Sequence, residues 1–244
     1  MLENTRGIVL RTIKYGDTSV ITSIFTERYG VQSYILKGVR SSRSRQNRTG
    51  LLQPGSLLDL TVYRSPLRKL EMISDFQPAY TSKTFTENML KNSILLFSIE
   101  ILLRLLPESA IVPDLFQFSY SYFIALDQNQ IPDIANYPLF FILKCSRLLG
   151  YEINGRYSQE TSYLNIADGG YSSNHPDSAT AITPDDAFCL DKVIEINDLE
   201  RVNEIKIQPS ARHRLLAWLI EFLQRHTHHM GKINSFEILT AILH

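Results

Sequence analysis

Cysteine is nearly absent from this chain of 244 residues: there are two, Cys145 and Cys189, and they form no Cys-x-x-Cys unit. That argues against a disulfide framework and fits a reducing cytosol. A long apolar run is also missing. The most apolar stretch, residues 94–106, is broken by Glu100 and Arg104 and is too short and too charged to span a bilayer. The N-terminus runs straight into a strand-like segment with no charged-then-apolar leader layout. The expected location is therefore the cytoplasm, with no membrane partner. There is no internal repeat and no low-complexity tract. Signatures of chemistry are lacking too: the sequence holds no GxSxG, no HExxH and no DxDxDG loop, and Gly231-Lys232 lacks the upstream glycine and the Ser/Thr of a phosphate-binding loop. Nothing in it supports an enzyme.

Net charge is absent as well, with 25 basic and 25 acidic residues, but the balance is uneven along the chain. Residues 1–80 carry 12 Lys/Arg against 6 Asp/Glu, and the remainder carries 13 against 19. A basic half joined to an acidic half points to a polyanion meeting the first.

The first half reads as β. Residues 7–13, 18–26, 31–38, 58–62 and 70–73 are short runs rich in Val, Ile, Thr, Leu and Tyr, separated by turn chemistry such as Tyr15-Gly16-Asp17 and Arg28-Tyr29-Gly30. Five short strands in about 70 residues is the size of an OB-fold. After Pro78 the period becomes helical. Helices are expected over residues 84–106, from Pro113 to about 126, over about 135–149 with Gly150 as its cap, from Thr183-Pro184, from Pro209 to about 227, and from Ser235. Residues 151–183 are polar and turn-rich, an irregular insert. The expected class is α+β: a five-stranded OB-fold barrel in residues 1–80, then a mainly α-helical domain in residues 81–244 that carries the insert.

The sharpest local feature is the loop after the third strand. Lys37, Arg40, Arg43, Arg45 and Arg48 fall within twelve residues that include no acid, with Ser, Gly and Asn between them. Arg68 and Lys69 follow beside the next hairpin. The planar fork of Arg matches phosphate oxygens, and release of condensed counterions drives such binding. A basic loop can equally be a solvated surface. On an OB barrel, whose strand face and loops take oligonucleotides, the nucleic-acid reading gains weight. Tyr34 is the chosen base-stacking residue, with Tyr15 and Tyr63 weighed beside it; all three could instead be barrel core.

These residues carry a family resemblance. Gly7-Ile8-Val9-Leu10, Tyr15-Gly16-Asp17-Thr18-Ser19, Phe25-Thr26-Glu27-Arg28-Tyr29-Gly30, Lys37-Gly38-Val39-Arg40 and Leu51-Leu52-Gln53-Pro54, in that order, resemble the N-terminal domain of the bacterial recombination mediator RecO family. The stretch from Phe141 through Lys144 and Arg147 to Tyr151, then Asp168-Gly169-Gly170-Tyr171 and Asn234-Ser235-Phe236-Glu237, are similar to later parts of the same family. The resemblance implies a DNA repair and recombination protein with no catalytic residues and no cofactor. It implies binding to single- and double-stranded DNA, annealing of complementary strands, and loading of the RecA recombinase with RecR, at the nucleoid. It also implies that the helical domain receives the acidic, apolar C-terminal tail of single-strand-binding protein, for which Arg104, Lys144 and Arg147 are the candidates. One departure stands out: many members carry a four-cysteine zinc module after this helix, and residues 151–183 contain no cysteine. No metal is expected there.

Other clusters have plainer explanations. His226, His228 and His229 beside Arg225 sit where positive charge complements a helix C-terminus, although a metal or phosphate contact is the alternative. Asp185 and Asp186 fall in a first helical turn. The remaining alternatives are an RNA-binding OB protein of another pathway, a protein–protein adaptor, and a metal-dependent nuclease.

Overall fold

Alternating side chains along the first half close a sheet on itself. In the computed structural model, which describes residues 2–39, 48–63, 70–129, 134–176, 182–227 and 230–243, the first half holds five strands. They are β1 (Leu2–Tyr15), β2 (Ser19–Thr26), β3 (Gly30–Leu36), β4 (Leu57–Tyr63) and β5 (Glu71–Tyr80). They form a closed barrel in the order β1-β2-β3-β5-β4, the five-stranded OB-type barrel expected. Four of its five seams are antiparallel; β3 and β5 meet in parallel, at Tyr34–Glu71 and Ile35–Met72. The interior is filled by Val9, Val20, Ile24, Tyr34, Leu36, Leu60, Val62 and Phe76. A bulge in β1 between Val9 and Arg11 shifts its register by one residue. Because side chains alternate with period two, that shift turns Arg11, Ile13 and Tyr15 outward instead of inward.

Among the described residues six helices follow: α1 (Met89–Leu105), α2 (Pro113–Gln128), α3 (Tyr137–Leu148), α4 (Pro184–Glu195), α5 (Pro209–His226) and α6 (Ser235–Ile242). Thr183 caps α4 as its sequence predicts, its hydroxyl accepting from the Asp186 amide at 3.2 Å. Helix α1 begins five residues later than its periodicity suggests, because Thr84 is engaged elsewhere. Its amide and hydroxyl, the Lys83 amide and the Tyr80 and Ser82 hydroxyls all donate to the Asp127 carboxylate of α2, at 2.7–3.0 Å.

The chain forms two compact units. One unit is Met1–Asn88 with Leu102–Asn129; the other is Met89–Ile101 with Gln130–His244. Helix α2 joins the barrel unit because Phe116 packs edge-on against Phe25, with ring centroids 5.4 Å apart. The connection before it adds a bridge from Glu108 to Val31 at the edge of β3. That approach needs Gly30, which has φ +66; a Cβ there would lie 2.1 Å from the Ala110 carbonyl oxygen.

In the second unit Asn136 donates to the carbonyls of Val202 and Ile205 and accepts from Arg212 of α5. The insert holds a small hairpin, β6 (Tyr163–Asn165) and β7 (Gly170–Ser172). It is fastened by polar groups. Arg156 forks onto Asp191 of α4 at 2.7 and 3.0 Å and reaches Glu195 at 2.6 Å. Buried Tyr171 donates its hydroxyl to the Ala187 carbonyl. These groups do not fit a zinc ion: the described part of the insert offers no thiolate, and its one histidine, His175, leans on Tyr163.

Candidate nucleic-acid interface

Cross-strand pairing sets two rows side by side on the outside of the barrel. One is apolar: Ile13 of β1 pairs with Ile21 of β2, Ile21 with Ile35 of β3, Ile35 with Met72 of β5, and Met72 with Tyr63 of β4. The other is polar: Arg11 pairs with Ser23, and Ser23 with Ser33. Two residues of strand, about 7 Å, separate the rows. Tyr15 lies beyond Ile13 and is 53% exposed; Ile13 is 44% and Tyr63 48% exposed. Such a surface offers aromatic and aliphatic faces to bases beside hydroxyl and guanidinium donors to phosphate.

The register also places the connections. Residues 16–18 join Tyr15 to Ser19 at one edge of the apolar row. The basic loop follows Leu36, the last residue of β3, and β4 ends at Tyr63, which pairs with Met72 of β5. Lys37 is exposed at the root of that loop. Arg40, Arg43, Arg45, Arg68 and Lys69 lie outside the described residues, and of Arg48 only the backbone is described, opening a short 3-10 turn (Arg48–Leu52).

Tyr34 requires a correction. It is 0% exposed, packed inside the barrel with Leu36 and Val62, so no base reaches its ring. The cause is parity: β3 turns Tyr34 and Leu36 inward and leaves Ser33, Ile35 and Lys37 outward. The residues that sequence reasoning passed over, Arg11, Ile13, Ile21 and Ile35, follow the same parity once the bulge in β1 is known.

Another wall of the barrel is different. A cleft of about 490 Å³ there is polar, lined by Arg6, Glu27, Arg28, Asp59, Asp75 and Gln77 among others. Arg6 is committed to Glu27 at 2.7 Å, and its guanidinium lies 4.8 Å from the centre of the Tyr120 ring. The bond to Glu27 holds the Arg6 pKa above its ordinary value against the opposing effect of burial. With two cations, Arg6 and Arg28, beside three acids, Glu27, Asp59 and Asp75, this wall is poorly suited to a polyanion.

In the second unit, Lys144 and Arg147 of α3 line a cleft of about 660 Å³ with Phe140, Leu143, Val193 and Ile196. Arg147 is paired with Glu152 at 3.2 Å, and Lys144 has no ion pair among the described residues. Arg104, in the last turn of α1, belongs to the barrel unit and does not line this cleft.

The remaining clusters are accounted for by packing. Asp186 is buried against Arg214 at 2.7 Å. His226 packs on Phe222, while His228 and His229 lie outside the described residues. Burial pushes the Cys145 and Cys189 thiols up, away from a reactive thiolate. Among the described residues no group of three or more His, Cys, Asp or Glu is placed to hold a metal ion, and no helix is long and apolar enough to cross a membrane.

Comparison with known proteins covers both units. Residues 1–81 match the family model described as Recombination protein O N terminal, and residues 86–232 match Recombination protein O C terminal. The chain is similar to the DNA repair protein RecO of Phocaeicola vulgatus, 27% identical over 242 residues and 99% of each chain. It is 28% identical over 243 residues to that of Bacteroides fragilis, again 99% of each. To that of Flavobacterium johnsoniae it is 26% identical over 239 residues, 98% of each.

Proposed function

The chain belongs to the RecO family of DNA repair proteins, and from that premise we propose that it acts by binding, without ATP, to bring complementary DNA strands together. The outer barrel surface takes single- and double-stranded DNA. Tyr15 and the row Ile13–Ile21–Ile35 stack against bases, while Arg11 and Lys37 hold phosphates together with Arg40, Arg43, Arg45, Arg48, Arg68 and Lys69. Neutralising phosphate on two strands at once lowers their repulsion and lets bases pair. The cleft beside Lys144 and Arg147 receives the acidic, apolar C-terminal tail of single-strand-binding protein, since a lysine with no ion pair beside apolar walls suits a terminal carboxylate. With RecR, the protein would then help RecA onto the strand, at the nucleoid.

The observation that carries this reading is the pairing of an outward-facing, partly exposed apolar row with a hydroxyl–guanidinium row, at the root of the most basic segment of the chain. Phosphate contacts carry no sequence information, so binding should be largely indifferent to sequence.

The test is annealing of a fluorophore-labelled strand to a quencher-labelled complement, with the salt dependence of binding measured alongside. The protein should speed quenching without ATP. Replacing Arg40, Arg43, Arg45 and Arg48 by Ala should lower the single-strand salt slope by about 3, at about 0.7 per lost contact. Tyr15→Ala should weaken single-strand binding about 5- to 160-fold while leaving the slope unchanged, as expected for loss of one stacking contact of about 1–3 kcal/mol. Unchanged affinity in both variants would refute the assignment of DNA to this surface.

A further inference from the structure

The apolar row on the barrel does not stop at Tyr63. Tyr63 of β4 pairs with Leu2 at the start of β1, so the row Ile13–Ile21–Ile35–Met72–Tyr63–Leu2 crosses every strand and returns to the one it left. It makes one full circuit of the barrel. Its two ends are eleven residues apart on β1, at most about 36 Å of strand. An odd separation would put Leu2 and Ile13 on opposite faces of a regular strand. The bulge between Val9 and Arg11 removes that difference and leaves both outward, Leu2 52% exposed and Ile13 nearly as open.

The DNA surface described above uses one arc of this circuit, Ile13–Ile21–Ile35 with Tyr15. Tyr63 and Leu2 form another, with both side chains half-exposed. Three of the five strand-to-strand steps separate Ile21 from Tyr63, so the two arcs face different ways, with the partly buried Met72 between them. Both have the same cross-section, an apolar row with a polar row two residues away. Beside the first arc run Arg11, Ser23 and Ser33. Beside the second run Asn4 and Thr61, where the Thr61 hydroxyl donates to Asn4 Oδ1 at 2.9 Å. Charge sets the arcs apart. Thr61 pairs with Asp75, and Asp59 lies two residues further along β4. A phosphate backbone is repelled from that side of the second arc and lies on the other, from which the chain leaves β4 at Tyr63. The six residues that follow in sequence include Arg64, Arg68 and Lys69 and no acid.

Resting on the reading of the first arc as a DNA site, we infer that Tyr63 and Leu2 form a separate stacking site for a second single strand, so that one chain holds two strands at once. A base lies on the Tyr63 ring, and its neighbour rests on Leu2. Only a few bases of each strand touch the barrel. The overhanging bases are free to meet, at a local concentration set by the width of the barrel and not by the bulk solution.

The experiment titrates the full chain with two oligothymidines of about six residues, within the range that one OB-fold takes. One carries a donor dye and the other an acceptor, and they cannot pair with each other. Sedimentation counts the chains and strands in each particle. The wild-type protein should form particles of one chain and two strands that show energy transfer. Tyr63→Ala should weaken the second binding step about 5- to 160-fold, as for one lost stacking contact, and slow the annealing of complementary strands with it. Tyr63→Trp keeps an aromatic face and should restore both, whereas Tyr15→Ala should act on the first step. If the wild-type chain binds one strand but never two, if two-strand particles always contain two chains, or if Tyr63→Ala leaves the second step intact, this inference is overturned while the first arc stands. Equal losses in both steps would make the arcs a single site and overturn it as well. If no strand binds the wild-type chain, the first arc and this inference fall together.

Discussion

Replacing Asp127 by Asn should cost the barrel unit about 3 kcal/mol, and the reason lies in the donors around it. The carboxylate is 2% exposed. Its Oδ2 accepts from the Tyr80 hydroxyl at 2.7 Å and the Lys83 amide at 2.9 Å; its Oδ1 accepts from Ser82 Oγ at 3.0 Å and from the Thr84 amide and hydroxyl at 2.8 Å. Hydroxyls can rotate and accept from an NH₂ group, but backbone amides cannot. The two amides point at different oxygens, so either orientation of Asn leaves one buried N–H facing another donor. An unsatisfied buried donor costs about 1–3 kcal/mol, and each hydrogen bond to a charged acceptor contributes about 1.5–3 kcal/mol. Partial rehydration and non-additivity bring the sum to about 3 kcal/mol, or about 6–12 °C in Tm for a chain of this length. The effect depends on pH. Burial alone would raise the Asp127 pKa, but the Lys83 amide, Tyr80 and Thr84 outweigh it and hold the carboxyl far below its ordinary value. The stabilisation is therefore fully present above the unfolded pKa of about 3.9 and is lost as pH falls toward the folded value. Thermal and urea unfolding of both proteins between pH 3 and 7 should show a gap that is widest above pH 5 and narrows below pH 4. A variant within about 0.5 kcal/mol of wild type at pH 7 would refute the reasoning, since surface substitutions away from such features typically change stability by no more than that.

Two further perturbations test other parts of the structure. Arg156→Ala removes the fork from Asp191 and Glu195 and leaves Asp191, 9% exposed, without its cation. Because Arg156 itself is half-exposed, the loss should be about 1–2 kcal/mol, read as faster proteolytic nicking within residues 151–176 ahead of any fall in global Tm. Arg156→Lys should restore only part of it, since an ammonium lacks the second parallel donor. Gly30→Ala puts a methyl 2.1 Å from the Ala110 carbonyl oxygen at φ +66. It should cost about 2 kcal/mol or more, seen as a Tm loss by circular dichroism, whereas Gly16→Ala, with an equally positive φ but open space, should cost less.

The class of fold was legible because two periods are written plainly in the chain, and they change after Pro78. The helix starts at Pro113, Thr183-Pro184, Pro209 and Ser235 were readable for a local reason: cap and proline signals act within a single turn. What stayed hidden was set by contacts far apart in sequence. The start of α1 moved because Thr84 bonds Asp127, 43 residues away. Helix α2 grouped with the barrel because Phe116 meets Phe25. The stacking residue was misassigned because composition points to a tyrosine in a strand, while only the register says which side of the strand it occupies. Tyr34 and Tyr15 are alike in sequence terms; a one-residue bulge at Val9 and Arg11 and the parity of β3 send one outward and the other into the core. In the second unit the sequence singled out Lys144 and Arg147 by their place on an apolar helix.

A chain with zero net charge cannot rely on long-range attraction to find DNA, because its overall field is weak and the Debye length at physiological salt is about 8 Å. Capture must then depend on charge gathered within that distance. The sequence gathers charge in this way, with five Lys/Arg in the twelve residues that follow β3. Asp59 and Asp75 lie on another barrel wall, and Glu152, which lines the cleft beside Lys144, is matched to Arg147. The residues proposed to face DNA all belong to one compact unit, and Lys144 and Arg147 to the other. On the proposed reading, DNA and an acidic protein tail therefore do not compete for the same cations. The protein can hold single-strand-binding protein by its tail and engage the strand that protein coats at the same time, and linking the two contacts raises the effective concentration of each without any new contact. A soluble tail peptide should then abolish the advantage on protein-coated strands while leaving annealing of bare strands untouched.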